Sequence, residues 1–159
     1  MKSSTKLRMV AVAFTFALAS ITAAALAEDK ETVLKNREAL MKEQGKDLGS
    51  VKAYTEGKGD LAQAEAGAAN LTKTTKKITD VFPSGTGGTN SDGKYATKPA
   101  IWTDWNKFVD AEKTAAGKAD ALLVAVKSGN KEQIAAAFGD LGKNGCGACH
   151  ETFREKLKD

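Results

Sequence analysis

The amino-acid sequence predicts an all-α protein, an antiparallel bundle of four helices. Two prolines in the 159 residues, Pro83 and Pro99, bracket one glycine-rich segment, and no other stretch holds a proline that would interrupt a helix. On either side of this segment, apolar residues recur at intervals of three and four, which is the spacing of one helix face. Only 6% of the residues are aromatic, which favours helices over a β-sandwich.

Residues 1–27 have the pattern of a cleaved signal peptide, which leaves residues 28–159 as the four-helix domain. Lys2, Lys6 and Arg8 precede an apolar stretch over residues 9–19, and small residues lead to an A-x-A cleavage site that ends at Ala27. The apolar stretch is too short to span a bilayer. Cleavage removes three basic and no acidic residues, so the formal net charge falls from +4 to +1. The mature chain therefore lacks the basic surface that nucleic-acid binding requires.

The first two predicted helices precede the glycine-rich segment. Helical spacing predicts the first over residues 30–55, and Gly57 and Gly59 end it. Asp60 is the expected N-cap of the second helix, which is predicted to run from Leu61 to Phe82. The inward stripe of the first helix consists of Leu34, Arg37, Met41, Gln44 and Leu48.

The last two predicted helices follow the loop of residues 83–99. Helical spacing predicts the third from Trp102 to Val126, and the tripeptide of residues 128–130, Ser-Gly-Asn, ends it. The fourth carries Ile134 and continues through Phe153 to Leu157. Because two of the three connections are short, neighbouring helices are expected to be antiparallel.

The pentapeptide CGACH over residues 146–150 is the motif that predicts a cofactor site. The pattern C-x-x-C-H attaches a c-type haem, and positions i and i+3 of a helix lie on one face, so both sulfurs reach one edge of the macrocycle. Cys146 and Cys149 are therefore predicted to form two thioethers to one haem c, with His150 as the proximal iron ligand. The alternatives are a thioredoxin-like redox pair, half of a zinc site or a disulfide. The first needs a βαβ context, and the second needs a further pair of ligands that the mature chain lacks.

Two glycines precede these cysteines by one turn each. Gly142 comes before Cys146, and Gly145 comes before Cys149. Since a helical side chain covers the turn N-terminal to itself, both glycines are predicted to lie beneath the porphyrin. The alternative is a poorly formed start of the helix near Gly139.

A signal peptide, four helices and C-x-x-C-H about ten residues from the C-terminus resemble the class II cytochromes c, the cytochrome c′ superfamily. The segments LKNREALMKEQG, KPAIWTDW and AAAFGDLGKNGCGACHETFREK carry the resemblance. It implies a periplasmic bundle that encloses one covalently attached haem. It also implies a monomer or homodimer, with soluble or membrane-associated redox proteins as partners.

The same resemblance raises the question of what lies opposite His150. Both branches of the family place the distal residue four positions after an arginine, which here makes it Met41, after Arg37. The pattern R-x-x-x-M-K-x-x-G resembles the branch in which methionine ligates a low-spin iron, so we expect a single-electron carrier with His150 and Met41 as metal ligands. The alternative is a five-coordinate iron that binds NO or CO, with Met41 only packing over it. Arg37 is expected to pair with a haem propionate, or else to be a solvated surface residue.

Other function classes find little support in the sequence. No Ser-His-Asp or paired-carboxylate arrangement is evident, and the single histidine is assigned to iron, so an enzyme is not expected. A haem-free helical interaction protein is the remaining alternative.

Overall fold

The computed structural model describes residues 17–157, with side chains described from Lys30 to Leu157. Residues 1–16 of the predicted signal peptide lie outside the described residues, as do the side chains of the remainder of that peptide. The chain divides into two compact units, Met1–Thr32 and Val33–Asp159. The described part of the first unit is helical. The second unit holds the bundle.

The described residues are mostly helical, which confirms the predicted fold class. The long helical segments are Ala17–Thr55, Leu61–Thr74, Trp105–Ser128 and the segment that begins at Lys131 and ends at Phe153. Across residues 17–157, no helix combines the length and the apolar character needed to cross a membrane. The helices and strands are α1 (Ala17–Thr55), α2 (Leu61–Thr74), β1 (Tyr95–Thr97), α3 (Ala100–Thr103), α4 (Trp105–Ser128), α5 (Lys131–Asp140), α6 (Ala148–Phe153) and β2 (Arg154–Lys156).

The helix ends follow from local hydrogen bonding at the predicted positions. The Asp60 carboxylate accepts a hydrogen bond of 2.8 Å from the backbone N–H of Gln63, which caps α2. Asn130 caps α5 in the same way, accepting from the backbone N–H groups two and three residues later at 3.1 Å each. Gly129 has φ +67°, a left-handed conformation that ends α4. The predicted breaks between these helices are confirmed.

An alanine-rich core joins α1, α2, α4 and α5. Small side chains let the helices approach closely, while a few larger residues fill the remaining space. Leu48 from α1 and Cys146 pack against this core as partly buried residues. Its buried members are Val51, Ala64, Ala68, Leu71, Ala119, Leu122, Ala125, Val126, Ile134 and Leu141.

A second set of buried residues, the phenylalanine cluster, lies around Phe108 of α4. The Phe108 ring packs edge-on against Phe82 and Phe153, with ring centroids 4.9 and 5.1 Å apart. Ile78 and Ile101 complete the cluster. Met41 and Cys149 pack against it as partly buried residues, so the cluster connects α1 to α6.

The second helix is shorter than predicted. It ends at Thr74, and two 3₁₀ turns, Thr75–Lys77 and Thr79–Val81, continue the chain. The hydroxyls of Thr74 and Thr75 donate to the carbonyl oxygens four residues earlier, at 3.0 and 2.7 Å. Such side-chain hydrogen bonds compete with the backbone hydrogen bonds of the helix and bend it. This accounts for the switch from α-helix to 3₁₀ turns after Thr74.

The third predicted helix is interrupted at Asp104, which has φ −132° and ψ 56° and separates α3 from α4. The Trp102 indole N–H donates to the carbonyl oxygens of Phe82 and Pro83 at 3.0 and 3.1 Å. This contact ties the short α3 to the segment after α2. The helical spacing of apolar residues continues from Trp102 into the next helix, so it predicted one helix where the structure has two.

The fourth predicted helix changes geometry and ends early. A π-helical segment, Leu141–Gly147, joins α5 to α6. The residues after Phe153 leave the helix and form β2, which pairs antiparallel with β1 so that Ala96 lies opposite Glu155. The predicted continuation to Leu157 and the predicted loop over residues 83–99 are therefore wrong at these positions. Long-range pairing of backbone groups decides the outcome here.

Gly145 of the π-helical segment lies against α4. A Cβ atom at this position would be 3.0 Å from Cδ1 of Leu141 and 3.4 Å from the Cα atom of Ala115. The structure thus places Gly145 against α4, and its position beneath the porphyrin stays a prediction. The missing side chain permits a close approach between two helices.

We expect the Gly145→Val variant to unfold with a free energy lower by about 1–3 kcal/mol, because the added methyl groups overpack this contact. The measurement is a denaturant melt of the holoprotein. Gly139→Val is the matched control, since a Cβ at Gly139 has no neighbour within 4 Å. Equal losses of stability in the two variants would show that the contact with α4 is unimportant.

Candidate functional site

A cavity of about 420 Å³ lies inside the second unit, between α1 and the C-terminal helical segment. Its size is typical of a site for a small organic ligand or cofactor, and most of its lining is apolar. The residues that line it from α1 are Leu34, Arg37, Glu38, Met41, Lys42, Gln44, Gly45 and Leu48. Those from the C-terminal segment are Cys146, Cys149, His150, Phe153 and Arg154.

The structure brings the predicted haem-attachment residues into this cavity. Cys146 belongs to the π-helical segment, whereas Cys149 and His150 belong to α6. No disulfide links the two cysteines. Cys146 packs against the alanine-rich core and Cys149 against the phenylalanine cluster, so the two sulfurs are spread along one wall.

Burial controls the protonation of these side chains. It raises the pKa of the Cys146 thiol, and it raises the pKa of Cys149 to about 11, with smaller effects from Cys146 and Glu112. Burial, together with the charge of Arg154, lowers the pKa of His150 to about 4. At neutral pH the imidazole is therefore uncharged, which is the form that ligates a metal.

Arg37 is buried in the α1 wall of the cavity, with 7% of its surface exposed. Its guanidinium donates to the Val81 carbonyl at 3.0 Å, to the Thr86 carbonyl at 3.1 Å and to the Thr86 hydroxyl at 2.8 Å. It also lies over the Phe82 ring, 4.0 Å from the centroid. Desolvation lowers the pKa of Arg37 to about 10. Arg37 is thus not a solvated surface residue, and its pairing with a propionate stays a prediction.

Glu38 fastens the loop after α2 to α1 at the edge of the cavity. Its carboxylate forms an ion pair with Lys42 and accepts from the backbone N–H and the hydroxyl of Ser91, at 2.9 and 2.7 Å. These contacts, Lys42 first and Ser91 second, lower the pKa of Glu38 to about 2. Sequence reasoning missed this connection because nothing in the local pattern relates Glu38 to a loop 53 residues away.

A second connection closes the cavity beside β1 and β2. The guanidinium carbon of Arg154 lies 4.2 Å from the centroid of the Tyr95 ring. Both residues line the cavity, and they come from paired strands. Sequence reasoning missed this contact because it predicted a helix through Leu157 in place of β2.

The residues present fit a haem group. Two cysteine side chains outside any disulfide and a neutral imidazole lie on one wall. Apolar side chains line most of the remainder, and a buried cation lies on the α1 wall. The amide nitrogen of Gln44 is also buried, and it has no hydrogen-bond partner within the described part of the chain. A planar, largely apolar cofactor that carries anionic groups matches this set of neighbours.

These features define a haem-binding four-helix bundle with a C-terminal attachment motif. A family model described as Cytochrome C' matches residues 32–154. The chain belongs to the cytochrome c′ family, and it carries covalently attached haem c.

Relatives and solved structures agree with this assignment. A cytochrome c′ from Cereibacter sphaeroides is 33% identical over 142 residues, which cover 87% of this chain and 93% of the relative. A cytochrome c-556 from Rhodopseudomonas palustris is 34% identical over 140 residues, which cover 86% of this chain and 91% of the relative. A solved cytochrome c′ described by its unusual ligand-controlled dimer dissociation has a TM-score of 0.72 at 28% identity, over 80% of this chain and 97% of that one. A nitric oxide complex of a variant cytochrome c prime from Alcaligenes xylosoxidans has a TM-score of 0.70 at 26% identity, over the same shares.

The interpretation of the chain as a His/Met-ligated electron carrier is wrong. The matching family model and solved structures are cytochromes c′, which correspond to the alternative with an open distal position. Met41 lies in the cavity wall and packs against the phenylalanine cluster. As a flexible apolar side chain it fills space there, and R-x-x-x-M-K-x-x-G alone does not distinguish this role from ligation.

We expect Glu38→Gln to reduce stability most at neutral pH. Because the folded-state pKa of Glu38 is about 2 against an ordinary 4.5, its contribution is fully present above pH 4.5 and is lost as the pH falls toward 2. Denaturant melts of the holoprotein at several pH values should show the wild type and the variant converging as the pH falls.

The control is Glu56→Gln, since Lys58 lowers the pKa of Glu56 outside the cavity. Hydrogen exchange at the Ser91 amide should be faster in Glu38→Gln and unchanged in Glu56→Gln. A constant stability difference between wild type and Glu38→Gln from pH 7 to pH 2 would contradict the assignment.

Proposed function

We propose that this protein is a five-coordinate cytochrome c′ that binds a diatomic gas such as NO or CO. The observation that carries the proposal is the single imidazole, His150, in a cavity whose opposite wall offers Met41 packed among apolar residues. The bound haem iron supplies one coordination position for the gas. The nitric oxide complex of the solved relative supports the choice of ligand.

Within this proposal each wall of the cavity has its own role. Cys146 and Cys149 hold the macrocycle through thioethers, and His150 is the proximal ligand. Arg37 pairs with a propionate, since its three recorded hydrogen bonds go to neutral acceptors and leave a buried positive charge to be balanced. Met41 restricts access to the distal side without ligating the iron.

The proposal includes the cellular context predicted from the sequence. Residues 1–27 act as an export signal, and residues 28–159 are the mature domain in the periplasm, where this type of haem attachment takes place. A homodimer is the proposed assembly, supported by the ligand-controlled dimer of the solved relative. Redox proteins as partners, and the absence of an enzymatic activity, stay predictions.

The attachment residues are tested by the double variant Cys146→Ala/Cys149→Ala. We expect it to lose all covalently held haem, which intact-protein mass spectrometry under denaturing conditions measures directly. His150→Ala is the control, because it removes the proximal ligand and leaves both thioethers. A denaturant-resistant haem in the double variant would refute the attachment.

The gas-binding assignment is tested by the spin state of the purified holoprotein. We expect a high-spin ferric iron by electron paramagnetic resonance, and a ferrous form that takes up CO. Met41→Leu should leave the spin state unchanged, while Met41→Ala should speed CO binding by roughly tenfold, equal to 1.4 kcal/mol of barrier. A low-spin iron that becomes high-spin in Met41→Ala would overturn the proposal.

A further inference from the structure

One polar side chain on the α1 wall has no hydrogen-bond partner in the account above. Gln44 belongs to the inward stripe of α1, three residues after Met41 and four before Leu48. It lines the cavity, and only 9% of its surface is exposed. Glutamine is mostly found at protein surfaces, so its place in an apolar wall calls for a partner.

The Gln44 amide nitrogen is buried, and no group among the described residues accepts a hydrogen bond from it. Leaving such a donor unpaired destabilises the folded protein. The terminal torsion of glutamine is soft, so the amide can turn toward an acceptor at little cost. No side chain or backbone group among the described residues accepts from this nitrogen, so it is free to donate to a group held in the cavity.

The position of Gln44 along α1 narrows the choice of acceptor. Met41 packs with the phenylalanine cluster, as Cys149 does, and Leu48 packs with the alanine-rich core, as Cys146 does. Along the axis of α1, Gln44 therefore lies between the part of the cavity wall near Cys149 and the part near Cys146. With a rise of 1.5 Å per residue, it lies about 4.5 Å along the helix from Met41 and about 10 Å from Arg37.

This separation argues against a propionate as the acceptor. The buried cation that attracts an anionic group is Arg37, two helical turns away from Gln44. The neighbour of Gln44 in sequence, Gly45, also lines the cavity, and a Cβ atom there would meet nothing within 4 Å. The wall beside the amide is thus open to a small ligand.

We propose that Gln44 donates a hydrogen bond to the diatomic ligand held on the α1 side of the cavity. The inference rests on the proposed gas-binding function and adds a specific residue to it. A gas bound to ferrous iron draws electron density onto its outer atom, and a neutral amide stabilises that partial charge. Gln44 consequently prolongs the lifetime of the bound gas, whereas Met41 acts on its entry.

The test is the C–O stretching frequency of the ferrous CO adduct, measured by infrared spectroscopy in the wild type and in Gln44→Met. The two side chains have similar length, but methionine has no N–H donor. We expect the frequency to rise in the variant and CO to dissociate about two- to tenfold faster, which corresponds to a typical net hydrogen bond. Gln63→Met on the exposed surface of α2 is the matched control, because it makes the same exchange outside the cavity, and it should leave the frequency unchanged.

A second measurement needs no variant. Exchange of the wild-type amides into deuterium oxide should shift the ligand vibration if the outer atom accepts a hydrogen bond. An identical frequency in wild type and Gln44→Met, with no deuterium effect, would overturn the role of Gln44 and leave gas binding intact. A wild-type protein that forms no CO adduct would overturn both.

Discussion

A buried positive charge organises the part of the bundle that surrounds the cavity. Removing a guanidinium from water is costly unless hydrogen bonds and a favourable field replace its hydration. For Arg37 the replacements are two carbonyl oxygens, one hydroxyl and the face of an aromatic ring, from Val81, Thr86 and Phe82. All three belong to the segment after α2. That segment therefore has to lie against α1, because its carbonyl, hydroxyl and aromatic groups replace the water around the Arg37 guanidinium.

Packed aromatic rings connect the buried Arg37 to the opposite wall of the cavity. Phe82, placed beneath the guanidinium, packs on Phe108, and Phe108 packs on Phe153 at the end of α6. The chain leaves the helix directly after Phe153 and pairs with β1. In this way the contacts that bury Arg37 also position the helix that presents Cys149 and His150.

The cavity combines two kinds of surface with separate uses. Apolar side chains exclude water and hold a flat cofactor, while a few polar groups give it orientation. Arg37 supplies charge at one level of α1, and Gln44 supplies a neutral donor two turns along. A neutral donor in an apolar wall interacts strongly with a partial charge because little solvent screens it. The same low polarity keeps His150 uncharged and available as a ligand.

The backbone geometry of the C-terminal segment serves packing as well as attachment. The cysteines flank the junction between a π-helical segment and α6, so their spacing is not that of a regular α-helix throughout. π-Helical turns are rare and are often found at functional sites. Here the turn coincides with the close approach of Gly145 to α4.

Properties that depend on the local order of residues could be predicted from the sequence. Helical spacing, the caps at Asp60 and Asn130 and the pentapeptide at residues 146–150 are local patterns, and they predicted the helical class and the haem-attachment motif. Three features became visible only in the folded chain. They are the burial of Arg37, the loop attached to Glu38 and the strand pair that ends the fourth helix. Each of these depends on groups tens of residues apart. A buried charge and an unpaired backbone group can take hydrogen-bond partners from any part of the chain that lies near them in the fold. Local sequence patterns therefore do not predict these partners.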